Sequence, residues 1–539
     1  MGEQLITIYN LHFTLYYILR INIYLSEEKM PKKNIILFIT LFLVCSFTAV
    51  AAQDNSAKKT TPMPEALAVT QHAIQLNGEK IPYTATAGCL MVNKPDEKPG
   101  ANIFFTAYTR DDTKDRSIRP LTFVFNGGPG SSSVWLHLGG MGPRRVLMTD
   151  NGFSVKPPYG LVDNEYSLLD ITDLVFIDPV STGYSRPLPG EKKSQFHGIN
   201  EDLASVGEFI RNYVTKYQRW ASPKFILGES YGTTRAAGLS GLLQGRQIGM
   251  YLNGIILVSS VLDFQTIVFS PGNNLPYILF LPHYTATAWY HKKLTPDLQE
   301  KSLTEVLSES EDFALGEYAL ALLEGNRLDP QKKREIIRKL ARLSGLSSEY
   351  IEQTNLRIRH DRFVKELLRN EFRTVGRLDS RFKGRDADSA GENYEFDPSS
   401  AAIQGSFSTM LNYYLRTELK YKSKLPYAIY GNVYPWNWNY GEGNMRSMGL
   451  NIGETLRKAM SENQFLNVFI ANGYYDGATP YFGTEYTFSQ IGLNSEFKDR
   501  VCMGYYEAGH MMYIHKPSQA KLKKDITSFI LSASGKNNK

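Results

Sequence analysis

The segment Gly228-Glu-Ser-Tyr-Gly232 constrains the fold of this chain more than any other, because it places a serine between two glycines. It directly follows the apolar run Phe225-Ile-Leu227, which has the composition of a buried strand. The G-x-S-x-G pattern is typical of a sharp strand-to-helix turn that exposes the serine hydroxyl at the top of a sheet. Ser230 is therefore a candidate nucleophile, and a purely structural tight turn is the alternative.

Two later segments supply the partners that a serine nucleophile needs. A serine hydroxyl becomes reactive near neutral pH beside a histidine base that a carboxylate holds in the right tautomer. One apolar, strand-like run ends just before Asp476, and a second ends just before a loop that contains Gly509 and His510. The order serine, acid, histidine is the order found in α/β-hydrolases. The sequence therefore predicts Ser230, Asp476 and His510 as nucleophile, orienting acid and base.

The acid and the base each have an alternative. Asp476 precedes Gly477, and Asp-Gly is a common turn pair, so Asp499 near the next strand is the second candidate acid. Of the nine histidines, only His510 and His515 follow Asp476. His515 lies outside the glycine-bearing loop, and we interpret it as a structural residue.

A glycine-rich segment provides candidate donors for an oxyanion hole. Asn126-Gly-Gly-Pro-Gly-Ser-Ser-Ser133 follows the strand-like run 121–125, and glycines allow backbone to approach a substrate closely. The backbone N–H groups of Gly128 and Tyr231 are predicted to form the hole. A phosphate-binding loop is the alternative, but no lysine follows at the position that a P-loop requires.

Five segments together resemble the serine carboxypeptidase family of α/β-hydrolases. They occur in family order over most of the chain: Asn126–Ser133, Phe176–Ser185, Gly228–Gly232, Asn472–Asp476 and Gly509–His510. The resemblance implies hydrolysis of C-terminal residues from peptides through an acyl-enzyme. It also implies that Asn126 and Glu229 bind the free C-terminal carboxylate of the substrate.

The chain departs from the family pattern at four positions. Ser131 stands where eukaryotic members carry a cysteine, so the disulfide usually anchored there cannot form and packing must hold the loop. A second glutamate that often helps to bind the carboxylate falls at Gly140. Val124 replaces a tryptophan in the strand, and Ser181 replaces a glycine in the aspartate-proline loop.

Glu229 has a chemical consequence of its own. A carboxylate that faces a substrate carboxylate must share a proton with it, because two close negative charges repel. We therefore expect substrate binding to favour acidic pH, whereas His510 must be neutral to act as a base. A buried glutamate that only supports the turn is the alternative.

The remaining sequence predicts an α/β fold. Strand-like runs at 101–108, 121–125, 174–177, 225–227, 255–258 and 468–470 alternate with helical patterns such as 202–217. This alternation indicates a mostly parallel sheet with helices on both faces. We assign residues 53–264 and 436–539 to the α/β-hydrolase core and 265–435 to a helical cap insertion, with a polar loop at 376–400.

The N-terminal segment has the features of a targeting signal. Residues 30–52 contain Met30-Pro-Lys-Lys33, an apolar run and Ala49-Val-Ala-Ala52, which is the layout of a secretory signal peptide. Cleavage near Ala52 predicts a periplasmic or secreted protein with no stable membrane insertion, and an uncleaved anchor is the alternative. Residues 1–29 are interpreted as an upstream extension that precedes a second start at Met30.

The amino-acid composition limits the classes of molecule that this chain is expected to bind. The 539 residues are 42% hydrophobic and 21% charged, as in a large globular enzyme, and the net charge of +6 is too small to favour nucleic acid. Peptides with a free C-terminus are the expected partners, no cofactor or metal is expected, and the oligomeric state stays open. Cys89 and Cys502 follow the signal peptide and are either a pair or two small buried residues. An acyltransferase or esterase, and a non-catalytic binding protein, are the rival functions.

Overall fold

The structure is a computed structural model that describes residues 67–440, 449–492 and 495–535. The predicted upstream extension at 1–29 and the predicted signal peptide at 30–52 lie outside the described residues.

A ten-stranded sheet forms the centre of the fold, with the strand order β1-β2-β3-β7-β4-β9-β10-β13-β14 and β8 paired to β3. The strands are β1 (Ala68–Leu76), β2 (Glu79–Asn93), β3 (Pro99–Arg110), β4 (Leu121–Phe125), β5 (Arg144–Val146), β6 (Leu161–Asp163), β7 (Asp173–Ile177), β8 (Arg186–Pro187), β9 (Lys224–Ser230), β10 (Gly254–Ser260), β11 (Thr374–Val375), β12 (Lys383–Gly384), β13 (Asn467–Gly473) and β14 (Val501–Tyr506).

The two halves of the sheet differ in direction. The neighbouring strands β7, β4, β9, β10, β13 and β14 pair in parallel. At the other end of the sheet, β1 pairs antiparallel with β2, β2 with β3, and β3 with β7. The parallel strands were predicted from their apolar runs, and β1 and β2 were not. The run predicted at 468–470 lies inside a longer strand, because β13 extends from Asn467 to Gly473.

The helices lie between these strands. They are α1 (Val134–Leu136), α2 (Ile199–Lys216), α3 (Tyr231–Gln244), α4 (Leu275–Tyr290), α5 (Pro296–Gln299), α6 (Leu303–Phe313), α7 (Ala319–Glu324), α8 (Pro330–Ser344), α9 (Ser348–Gln353), α10 (His360–Glu366), α11 (Pro398–Tyr413), α12 (Gly453–Glu462), α13 (Tyr481–Gln490) and α14 (Lys516–Ala533). A π-helical segment, His137–Met141, continues α1, and a single turn, Met512–Ile514, precedes α14.

Helices cover both faces of the sheet. Two consecutive residues of β4, Phe123 and Val124, belong to different apolar clusters because successive strand side chains point to opposite faces. On one face the apolar stripe of α2 joins α3 and α12, and on the other face α14 contributes Leu522, Ile526 and Ile530. The predicted α/β-hydrolase fold, with a largely parallel sheet between two layers of helices, is confirmed.

A third apolar cluster lies among the helices from α4 to α10. Helix α8 shows why this region is helical: Asp329 caps its N-terminus, Ile336 and Leu340 lie buried on one stripe, and Gly345 ends it with a left-handed φ of 71°. Farther along, Ile403 and Phe407 of α11 pack into a cluster of the central sheet instead.

The two cysteines belong to opposite ends of the sheet. Cys89 is on β2, with its Sγ 3.9 Å from the Tyr421 hydroxyl, and Cys502 is exposed on β14. In the described part of the chain these two thiols therefore form no disulfide with each other.

Candidate active site

Ser230 occupies the turn that the sequence predicts. It is the last residue of β9 and the residue before α3, and its backbone has φ 60° and ψ −131°, a conformation that non-glycine residues rarely adopt. An ideal Cβ on Gly228 would lie 2.1 Å from the Gly232 carbonyl oxygen. Only glycine at position 228 permits this close backbone crossing, which is what turns the serine out of the sheet.

The glycine-rich segment passes directly against this turn. An ideal Cβ on Gly127 would lie 2.4 Å from the backbone nitrogen of Tyr231, so glycine is required for the approach. Gly128 follows with a left-handed φ of 107°. The structure thus brings the two predicted oxyanion-hole residues, Gly128 and Tyr231, to the same place.

Asp476 and His510 are in contact, as predicted. The Nδ1 atom of His510 lies 2.7 Å from Oδ2 of Asp476, and both side chains are buried. Asp476 also accepts hydrogen bonds from the backbone N–H groups of Ala478 and Thr479 and from the Thr479 hydroxyl. Because Nδ1 must donate to this carboxylate, Nε2 is the unprotonated atom of a neutral His510 and is available to accept a proton.

The charges of this pair stabilise each other. Burial raises the pKa of Asp476, but the charge of His510 and the hydrogen bonds outweigh it, so the pKa lies below its usual value. Burial lowers the pKa of His510, but the Asp476 charge and hydrogen bond, together with Glu229, raise it above its usual value. The carboxylate therefore favours an imidazolium, which a general base must become during the reaction.

Strand β10 connects the histidine loop to the serine turn. Ser260 is paired in register with Ser230, and the adjacent Ser259 forms a bulge whose hydroxyl donates to the His510 carbonyl oxygen at 2.7 Å. The loop of the predicted base is thus fixed beside the strand that neighbours the predicted nucleophile.

Glu229 and Asn126 lie together under this site. Oε2 of Glu229 accepts a hydrogen bond from the Tyr513 hydroxyl at 2.5 Å, and burial raises the pKa of Glu229 to about 7. Asn126 accepts a hydrogen bond from the Leu136 N–H through Oδ1, and its buried side-chain amide also interacts with the Glu229 carboxyl and the Tyr513 hydroxyl. A carboxyl that holds a proton and a neighbouring amide are suitable donors for a carboxylate ligand.

Sequence comparison assigns the family. The model of the family described as serine carboxypeptidase matches residues 77–513. This chain belongs to the serine carboxypeptidase family. The chain is 34% identical over 145 residues to the pheromone-processing carboxypeptidase KEX1 of Saccharomyces cerevisiae, a match that covers 25% of this chain and 19% of the relative.

A plant relative and a solved structure are also similar. Serine carboxypeptidase-like 33 of Arabidopsis thaliana is 28% identical over 228 residues, covering 40% of this chain and 41% of the relative. The crystal structure of KEX1(delta)p from Saccharomyces cerevisiae superposes with a TM-score of 0.49 at 16% identity, over 84% of this chain and 91% of that chain. The matches thus span about a fifth to two fifths of the length of these two curated relatives.

The departures from the carboxypeptidase pattern have local explanations. Ser131 accepts a hydrogen bond from Trp135 Nε1 at 2.9 Å, and the glycine loop also pairs with a second segment through Ser132 N to Ile429 O and Gly431 N to Gly130 O. Backbone hydrogen bonds, in addition to the predicted packing, therefore hold the loop where eukaryotic members have a disulfide.

A structural element that the sequence analysis missed supports both triad loops. Residues 377–381, here called the brace, form hydrogen bonds with both loops. The carbonyl oxygen of Arg377 accepts from the Gly477 N–H, and that of Leu378 accepts from the His510 N–H. The Ser380 N–H donates to the Tyr475 carbonyl oxygen. The brace lies in the segment expected to be a polar loop, where no periodicity marks it. The sequence feature that marks the brace is an aspartate, Asp379, two residues before Arg381. These two side chains form a buried ion pair.

A buried ion pair supports the glycine loop from below. Arg235 of α3 donates to Asp202 of α2 at 2.8 Å and to the Asn126 carbonyl oxygen at 2.7 Å. Its guanidinium also lies 5.2 Å from the centre of the Tyr231 ring. The sequence offers no motif for this contact, because an arginine in a helix is usually exposed.

The alternative acid and base lie elsewhere. Asp499 is exposed just before β14, and His515 bonds Ser518 through Nδ1 at the start of α14. Ser181, which replaces a family glycine, has a left-handed φ of 76°, and its hydroxyl lies 2.9 Å from His197 Nε2.

The described residues contain neither a metal-binding cluster nor a membrane-spanning helix. In residues 67–440, 449–492 and 495–535, no cluster of three or more His, Cys, Asp or Glu side chains is arranged to hold a metal ion. No helix in the same ranges has the length and apolar character that a membrane crossing requires.

Proposed function

We propose that this chain is a serine carboxypeptidase that releases C-terminal residues from peptides through an acyl-enzyme at Ser230. His510 removes the proton from the Ser230 hydroxyl as Oγ attacks the scissile carbonyl, and Asp476 stabilises the resulting imidazolium. The N–H groups of Gly128 and Tyr231 receive the oxyanion. His510 then returns the proton to the leaving amine, and water releases the acyl group.

The single observation that carries the exopeptidase proposal is the position of Glu229. This buried carboxyl immediately precedes Ser230, burial raises its pKa to about 7, and it lies beside the side-chain amide of Asn126. A proton-bearing carboxyl one residue from the nucleophile suits a substrate that ends in a carboxylate. An endopeptidase or a simple esterase has no need of such a group.

The test offers the protein a panel of free-acid peptides beside the same peptides with C-terminal amides. We expect release of single residues from the free acids only, and loss of that release in Ser230→Ala. A fluorophosphonate should label Ser230 in the wild type. Equal reaction with acids and amides would favour the esterase or acyltransferase function, and absence of labelling would favour a non-catalytic binding protein.

The domain division and the location are part of this proposal. We assign residues 53–264 and 436–539 to the catalytic core and 265–435 to the insertion, in which the helices from α4 to α10 form the cap, whereas α11 packs against the central sheet. The signal peptide at 30–52 sends the enzyme to the periplasm or the exterior, where peptides with free C-termini are its partners. Neither nucleic acid nor a cofactor takes part.

A further inference from the structure

The phenol of Tyr513 is the polar group beside this site that the proposed mechanism leaves unused. Tyr513 lies in the turn Met512–Ile514, shortly after His510, and its exposure is 0%. Its hydroxyl donates to Oε2 of Glu229 at 2.5 Å. Tyr513 thus contacts the carboxyl proposed to recognise the substrate, without itself belonging to the triad.

The Tyr513 ring fills the space above two glycines. An ideal Cβ on Gly140 would lie 2.6 Å from Cβ of Tyr513, and one on Gly139 would lie 2.4 Å from Cε2 of the ring. No larger residue fits at either position while the ring is present. Gly140 is also the position at which the family resemblance places a second glutamate, so tyrosine and glycine together replace that side chain.

The Tyr513 hydrogen bond distinguishes the two oxygens of Glu229. Oε2 already accepts the phenol proton, so a proton held by Glu229 itself resides on Oε1. Asn126 contributes a second donor, because its buried side-chain amide lies beside both the Glu229 carboxyl and the Tyr513 hydroxyl. A carboxylate ligand would thus accept one hydrogen bond from Oε1–H and another from Nδ2.

We propose that Tyr513 is a positioning residue for recognition of the substrate's C-terminal carboxylate. By holding Oε2 of Glu229, it directs Oε1 and its proton toward the ligand. This role rests on the proposed carboxypeptidase function and adds a determinant of its specificity. No covalent bond changes in this step, since the proton stays shared between Glu229 and the bound carboxylate.

The charges around Glu229 give this role a pH signature. Burial raises its pKa, the charge of His510 and the Tyr513 hydrogen bond lower it, and the Asp476 charge raises it. Tyr430 is the other titratable group that interacts with Glu229. Removing the phenol hydroxyl therefore raises the pKa of Glu229 further, whereas removing a residue that only fills space would not.

The central test is Tyr513→Phe, which keeps the ring above Gly139 and Gly140. We expect KM for free-acid peptides to rise about tenfold, as for loss of a hydrogen bond to a charged group, with kcat changed less than about twofold. The decline of kcat/KM at alkaline pH should move to higher pH. Labelling of Ser230 by a fluorophosphonate should stay at the wild-type rate.

Two further variants sharpen the test. Gly140→Ala keeps the hydroxyl but pushes the ring aside, and it should reproduce the rise in KM. Tyr506→Phe is the matched control, because its buried hydroxyl donates to Asp525 at 2.7 Å on another part of the fold. Tyr506→Phe should change neither KM nor the alkaline decline.

Three results would overturn the inference. Tyr513→Phe with wild-type KM and an unmoved alkaline decline would make Tyr513 a space-filling residue. Loss of Ser230 labelling in that variant would make it a support of the histidine loop instead. If a fluorophosphonate labels the wild type in one sample, but untreated wild type cleaves acids and amides equally, the proposed carboxypeptidase function itself fails, and the role of Tyr513 fails with it.

Discussion

Oδ2 of Asp379 accepts a hydrogen bond from the backbone N–H of Gly509 at 3.0 Å, directly before the predicted base His510. The same carboxylate pairs with Arg381, and both side chains are buried. Asp379 is part of the brace, which also hydrogen-bonds the backbone of His510 and the loop of Asp476. The distance between acid and base is therefore set by a segment that contributes no triad residue.

Gly509→Ala should lower kcat by disturbing this contact. A Cβ at position 509 would lie 2.4 Å from Cβ and 2.5 Å from Cα of Asp379, so the brace or the histidine loop must move. Misplacement of a reacting group by about 1 Å can cost about a hundredfold in rate. We expect a decrease of that order in kcat, with KM changed much less, measured by steady-state kinetics on a free-acid peptide.

Gly160→Ala is the matched control for this substitution. An ideal Cβ on Gly160 would make only ordinary contacts, the nearest at 3.8 Å from Cδ2 of Leu147. Its kcat should equal that of the wild type. A Gly509→Ala enzyme with unchanged kcat would show that the loop tolerates the extra methyl group and that the brace does not set the position of His510.

The brace explains why part of the site could not be predicted from the sequence. Ser230, Asp476 and His510 stand at strand ends, next to glycines, so local pattern alone marks them. The brace lies between short strands, β11 and β12, and its contacts join residues far apart in the chain. Such contacts leave no periodicity. In β1, at the sheet edge, burial alternates along the strand, but the residue types do not follow it, because Val69 is exposed whereas Thr70 and His72 are half-buried.

Glu229→Gln should change both limbs of the pH profile of kcat/KM. Burial raises the pKa of Glu229 to about 7, so ionisation of this carboxyl should weaken substrate binding above that pH. Glutamine cannot ionise, and the alkaline decline should disappear. Because the Glu229 charge also raises the pKa of His510, the acidic limb should move to lower pH in the variant. The measurement is kcat/KM for a free-acid peptide from pH 4 to about pH 9.

Glu311→Gln provides the control for this profile. Burial likewise raises the pKa of Glu311, which accepts a hydrogen bond from the Tyr481 hydroxyl at 2.6 Å, in the helical region. Its profile should match the wild type. If Glu229→Gln keeps the wild-type alkaline decline, Glu229 is not the group whose proton the substrate shares.

Arg235→Met should destabilise the fold beneath the glycine loop. The substitution leaves the buried carboxylate of Asp202 without its ion-pair partner, which typically costs about 3–5 kcal/mol. It also removes the hydrogen bond to the Asn126 carbonyl oxygen. We expect a lower free energy of unfolding in urea, with a partial recovery in the double variant Arg235→Met, Asp202→Leu. Equal losses in the single and double variants would contradict this explanation.

His360→Phe should make the protein less sensitive to acid. Burial is the main reason that the pKa of His360 lies well below its usual value of 6.5. Interactions with the nearby groups His283 and Arg377 lower this pKa further. The unfolded state binds a proton below pH 6.5 and the folded state does not, so this residue's contribution to stability is lost as pH falls.

Both ring nitrogens are buried without a hydrogen-bond partner in the described residues, and the ring stacks on Tyr284. Phenylalanine can therefore take the place of the imidazole with little loss of contacts. The variant should gain unfolding free energy relative to the wild type as the pH falls from about 8 to about 5, by up to about 1.4 kcal/mol for each pH unit below 6.5. Urea denaturation at the two pH values measures this difference, and an identical difference in stability at both would mean that His360 takes up its proton in the folded state.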